Sequence, residues 1–78
     1  MRIPVLDATE EERAHGFAPT EMPSGKTVLA LCVAAGELYA VKMKSLATGT
    51  IEYVICGADL VPVYSPVASL AELVERFR

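Results

Sequence analysis

The chain reads as an α+β domain: a small antiparallel β-meander of three to four strands, a C-terminal helix packed on one face, and a short N-terminal helix. Three observations predict this. Residues 38–44 and 50–56 alternate between two faces with period two, and residues 27–34 are apolar almost throughout; both patterns are strand signatures. The spacers between these runs are short, which favours antiparallel pairing, because a parallel crossover needs a dozen or more residues. Finally, Leu70, Leu73, Val74 and Phe77 fall at i, i+3, i+4 and i+7, one face of a helix.

Taken in order, Ile3 and Val5 suit a short edge strand, the place in a sheet that tolerates Pro4. Thr9 is an N-cap, and Glu12 three residues on completes a capping box. Glu10, Glu11 and Glu12 fill the first turn, where the helix dipole favours negative charge. His15 and then Gly16 close a helix over 10–15. So short a helix must lean on something, and Phe17 and Met22 are the expected anchors.

Residues 27–34 suit a strand buried on both faces, although their Leu and Ala content leaves a helix over 27–35 open. A turn at Ala35-Gly36-Glu37 leads into Leu38–Lys44. That strand sets Tyr39, Val41 and Met43 on one face and Leu38, Ala40, Lys42 and Lys44 on the other. After a loop at 45–49, Ile51, Tyr53 and Ile55 lie opposite Thr50, Glu52, Val54 and Cys56. Gly57-Ala58-Asp59 turns into Leu60–Tyr64, an edge strand because Pro62 cannot donate to a ladder. Ser69 and Glu72 form a second capping box. The expected partners of the last helix are the Tyr39/Val41/Met43 and Ile51/Tyr53/Ile55 stripes, with Tyr39 and Tyr53 pairing across the hairpin.

The chain is one domain overall. Residues 1–25 are an N-terminal segment carrying three of the five prolines and half of the acidic residues; residues 26–78 are the meander and its helix. The hydrophobic fraction is 53%, above the usual range of about 45–50%. One helix of about nine residues covers little of a sheet with two apolar faces. The face carrying Leu38, Ala40 and Val54 therefore falls to the N-terminal segment, a second copy, or a partner.

Composition narrows the function. The net charge is −3, and the seven Lys and Arg residues are dispersed, whereas a nucleic-acid binder concentrates its cations. Lys42 and Lys44 read as an edge-strand solubility device. No apolar run exceeds eight residues, short of the roughly 20 a membrane helix requires. The first six residues lack the apolar core of a secretory leader. The expected location is the cytoplasm, with Cys32 and Cys56 reduced.

Chemistry-bearing motifs are sparse. Ser24-Gly25-Lys26-Thr27 looks like the tail of a phosphate-binding loop, but the glycine that such a loop needs five residues earlier is Thr20. His15 is the one imidazole and reads as a helix-end residue. One histidine and two cysteines 24 positions apart match no usual metal spacing, so no metal or cofactor is expected. Cys56, beside Gly57 at a strand end, reads as the more exposed cysteine.

The resulting expectation is a non-enzymatic protein-interaction domain, an acidic inhibitor or accessory factor of a larger complex. It would form a homodimer or dock on a partner through Glu10, Glu11, Glu12 and Tyr64. A thiol-dependent enzyme or redox protein using Cys56, or a small nucleic-acid-binding regulator, are the alternatives.

Overall fold

A computed structural model describes residues 1–33 and 37–76. Ala35 and Gly36 of the expected turn, and Phe77 of the expected helix face, lie outside the described residues. The elements are β1 (Arg2–Pro4), α1 (Glu10–Ala14), β2 (Ala18–Glu21), β3 (Thr27–Val33), β4 (Leu38–Ser45), β5 (Ile51–Cys56) and α2 (Leu70–Arg76). The α+β class holds, with an antiparallel sheet of five strands. Residues 27–33 are strand, which settles the choice against helix.

Strand β4 is the hub. One edge pairs with β5; the other pairs with β3 over residues 38–41 and with β1 over residues 43–45. Had the β3 ladder continued, Val28 would face Met43. Instead Met43 faces Pro4 of β1 on that edge, while β2 pairs along the far edge of β3. The β2–β3 hairpin thus leaves β4 and carries Met22 onto one face of the sheet.

Strand β2 had no alternation to announce it. Met22 donates its amide to Lys26 O at 2.8 Å, and counting back in twos from that pair points the position of Pro19 away from β3. The missing N–H of Pro19 therefore costs the ladder nothing, and it blunts the outer edge.

Each face of the sheet has its own core. The first holds Leu29, Ala40, Tyr53 and Ile55, covered by Phe17, Val67 and Leu73. The second holds Val28, Ala30, Val41 and Cys56, closed by Met22 and flanked by Tyr39, Met43 and Leu60. The accessible surface is 4806 Å², against about 4,600 Å² expected for a folded monomer of this mass. Of the covers the sequence allows, the N-terminal segment supplies one residue, Met22, and Leu60 supplies another, both from turns whose reach no periodicity reveals.

Two further expectations are corrected by register. Lys42, not Val41, lies opposite Tyr53, and Tyr39 lies opposite Cys56. Tyr39 and Tyr53 therefore occupy opposite faces and do not pair. The stripe of β4 that faces the helices is Leu38/Ala40/Lys42, not Tyr39/Val41/Met43.

Two turns share one hydrogen-bond frame. In the first, Gly25 donates to Met22 O at 2.8 Å and Met22 donates to Lys26 O at 2.8 Å. In the second, Leu60 donates to Gly57 O at 3.0 Å and Gly57 donates to Val61 O at 3.3 Å. Both are three-residue loops whose third residue is left-handed. That residue is Gly25 at φ +90° in one and Leu60 at φ +65° in the other. Leucine there costs about 1–2 kcal/mol. Its partly buried side chain packs on the second core, which offsets a similar amount, since full burial of leucine contributes about 1.5–3 kcal/mol.

Beyond that turn, residues 61–67 run antiparallel along the outer edge of β5. Bridges join Cys56 to Pro62 and Tyr53 to Val67. This replaces the regular strand expected at Leu60–Tyr64; Pro62 and Pro66 have no N–H to contribute to a full ladder.

Candidate functional site

Thr9 caps α1 as the sequence predicts: its hydroxyl accepts from the Glu12 amide at 3.1 Å, and its own amide donates to Glu12 Oε1 at 2.8 Å. Gly16 follows at φ +104°, and a Cβ there would meet Leu31 Cδ1 at 3.1 Å. Glycine is therefore what lets the chain leave α1 tight against β3 and seat Phe17 in the core.

This geometry turns Glu12 inward. Lys42 Nζ donates to Glu12 Oε1 at 2.7 Å and to Asp7 O at 2.7 Å, and the Tyr53 hydroxyl donates to Glu12 Oε2 at 2.5 Å. The carboxylate and ammonium side chains are only 3% and 7% exposed. Phe17 stacks obliquely on Tyr53, with ring centroids 5.5 Å apart. Three elements thus meet at one carboxylate: α1, β4 and β5.

Burial by itself would raise the Glu12 pKa. The hydrogen bonds from Lys42, Tyr53 and the Thr9 amide, with the Lys42 charge, outweigh it and hold the carboxyl below its ordinary 4.5. Tyr53 is pushed well above its ordinary 10.0 by burial first, then by its bond to Glu12 and the charges of Glu12 and Glu11. At neutral pH the cluster is therefore a carboxylate with a neutral phenol, both fully engaged. No buried side-chain nitrogen or oxygen among the described residues lacks a partner. A carboxylate held by donors from three elements ties those elements together.

An open pocket of about 610 Å³ lies between α1 and β2, with Phe17 and Leu29 among its lining and Asp7 and Arg13 as its charged groups. It adjoins the cluster through Asp7, whose carbonyl is already taken by Lys42, and through Phe17, which stacks on Tyr53.

The remaining sequence-derived candidates fall in separate places. Glu10 and Glu11 are exposed on α1, while Glu12 is buried. Lys42 is buried and Lys44 exposed, so the two do not form a surface pair. Cys32 is exposed and Cys56 buried, the reverse of the expected order. Both are free, and Tyr39 lies between them in register. Burial, and then the Asp59 charge, push the Cys56 thiol above its ordinary 9.0, the opposite of what a thiolate nucleophile needs. Ser24 and Gly25 sit in the β2–β3 turn, with no helix following. Among the described residues no group of three or more His, Cys, Asp or Glu stands close enough to hold a metal ion.

The surface carries one feature that composition did not locate. Val61, Val63 and Tyr64 are 55%, 51% and 51% exposed. They form an apolar ridge fixed from below: Val63 donates to Ile55 O at 2.9 Å, and Val67 and Tyr53 exchange amide bonds at 2.9 and 2.8 Å. The Arg76 guanidinium of α2 lies over the Tyr64 ring, 5.8 Å from its centroid. Tyr64 was legible as a candidate contact residue; Val61 and Val63 were not, because alternation would have buried one face of that segment.

Fold and site together define a small α+β domain with an internal ion cluster and an external apolar ridge. Compared with protein-family models, with curated proteins and with solved structures, the chain finds no match in any of the three. Among the described residues no helix is long and apolar enough to cross a membrane.

Proposed function

We propose that this chain is a non-enzymatic protein-interaction domain that docks on a partner through the ridge of Val61, Val63 and Tyr64. The observation that carries the reading is the exposure of these three large side chains on a segment pinned to β5. Elsewhere both sheet faces are covered from within the chain, so the sequence's argument for a second copy as cover falls away. An apolar ridge with a tyrosine under an arginine has the composition of interface centres, where tyrosine and arginine are enriched.

Glu10 and Glu11 add a steering element. They are exposed and unhidden by the ion cluster, and would speed encounter with a basic surface, in keeping with an acidic inhibitor or accessory factor.

The test is comparative. Native mass spectra of complexes recovered with the wild-type chain and with a Val61→Asp, Val63→Asp double variant are set side by side, with circular dichroism confirming that both are folded. The reading expects a discrete stoichiometric complex with the wild type that the variant loses. Equal retention of the same partner by both forms rejects the ridge. Charge reversal at Glu10 and Glu11 then reads the steering element as a slower, more weakly salt-dependent association.

A further inference from the structure

The segment from Gly57 to Val67 has features of a moving part. Its first turn holds Leu60 in a backbone conformation that side chains rarely adopt, at φ +65°. The matching turn of the other hairpin uses Gly25. Between the turn and the buried Val67, which anchors the far end through its exchange of amide bonds with Tyr53, its attachment to β5 is one backbone bond, Val63 to Ile55 at 2.9 Å. Pro62 and Pro66 limit what a ladder here could add. On the other edge of the β4–β5 pair the hold is different: β5 is joined to β4 in continuous register from Ile51 to Cys56.

Beneath the segment lie two protected things. One is the buried Cys56 thiol, which lies against Leu60's cluster and opposite Pro62, with Sγ directed at Tyr39 O at 3.7 Å. The other is the outer edge of β5. Regions with few ladder bonds open at lower free energy than the body of a domain. Here opening also frees Leu60 from its left-handed backbone, so strain released on leaving opposes the burial that holds it down.

We propose that residues 57–66 are a hinged strap: it lifts at Leu60 while Val67 stays in the first core and β3, β4 and β5 remain paired, and lifting bares Cys56 and the adjoining edge of β5 together. The strap does not depend on the ridge being a contact surface. A strap that opens and a ridge that binds nothing are compatible outcomes.

The experiment uses the full chain with Cys32→Ser, leaving Cys56 as the one thiol. Its reaction with a disulfide reagent is followed from zero urea to just below the unfolding transition, and each rate is divided by that of the unfolded chain at the same pH. The strap gives a rate that is flat in dilute urea and at least tenfold faster than global unfolding permits. Leu60→Gly in the same background, losing packing and relieving strain, raises it about fivefold more while amide exchange in β4 stays unchanged. A rate that tracks global unfolding at every urea concentration overturns the proposal. So does a Leu60→Gly variant whose labelling is no faster than its parent's.

Discussion

The sheet closes its two faces by different means. Under α1 and α2 the chain builds a layer around a charge: Glu12, Lys42 and Tyr53 bond to one another in the interior, and Phe17, Val67 and Leu73 fill the space about them. Among the described residues no helix lies on the opposite face. Val28, Ala30, Val41 and Cys56 are shut in by Met22 and Leu60, two residues delivered by turns. The first face spends polar chemistry on fixing where α1 sits, because a buried carboxylate and ammonium tolerate only one geometry. The second relies on apolar contact and accepts a strained leucine to complete it.

That contrast sets the scale of what should break. Removing one partner of a buried ion pair leaves the other charged and unmatched, which costs about 3–5 kcal/mol. A domain of this length has only about 4–12 kcal/mol in total. Glu12→Ala, which also deletes half of the capping box, is expected to lower the urea midpoint most of any single change. Lys42→Met should follow closely. A Glu12→Ala, Lys42→Met double variant should cost clearly less than the two singles added together, and strict additivity would mean that the pair does not act as a unit.

On the apolar face the corresponding change is Met22→Ala. Its expected cost is about 2–4 kcal/mol, the usual range for emptying a buried site of that size. It should show no pH dependence beyond that of the wild type.

Acid separates the faces next; base does not, because the raised Cys56 thiol of the second face titrates there along with Tyr53. Glu12 has a folded pKa below its ordinary 4.5, so its contribution is complete above that value and drains away as pH falls through the lowered one. Tyr53 has a folded pKa above its ordinary 10.0, so its contribution is complete below 10 and is lost as pH rises further. Thermal melts should be flat from about pH 5 to 9 and fall on both sides. In Glu12→Gln the acid limb should be shallower.

The two turns give the smallest effects. Gly25→Ala meets no atom within 4 Å, so it isolates the backbone term and should cost about 1 kcal/mol. Leu60→Gly exchanges lost packing for relieved strain and should also cost about 1 kcal/mol, well below the usual price of deleting a core leucine.

Legibility in the sequence followed the range of each interaction. The Thr9 capping box spans three residues, and its reading holds. The alternation of β4 and β5 was plain, and so was the helix of Leu70 and Leu73. Which stripe of β4 faced that helix was not, because both stripes are apolar and only register decides. Lys42 carried a signal: it stands on the Leu38/Ala40 stripe, and a lysine in an apolar stripe asks for a carboxylate. Nothing local named Glu12, 30 positions earlier, as that carboxylate. Strand β2 was hidden by Pro19 and by its exposure. The relative burial of the cysteines came out reversed because Cys56 is covered by Leu60 and Pro62, through contacts that no periodicity encodes.

One chain closes both faces of its own sheet, leaving Val61, Val63 and Tyr64 exposed along one segment and Met1, Ile3, Leu6 and Leu46 exposed elsewhere. Sedimentation equilibrium of the purified protein over micromolar to high-micromolar concentrations, paired with melts at the same concentrations, tests that closure most directly. A single 8.4 kDa species with a concentration-independent Tm is the predicted result. A dimer whose Tm climbs with concentration would contradict it, since a second copy would then be part of what holds the fold.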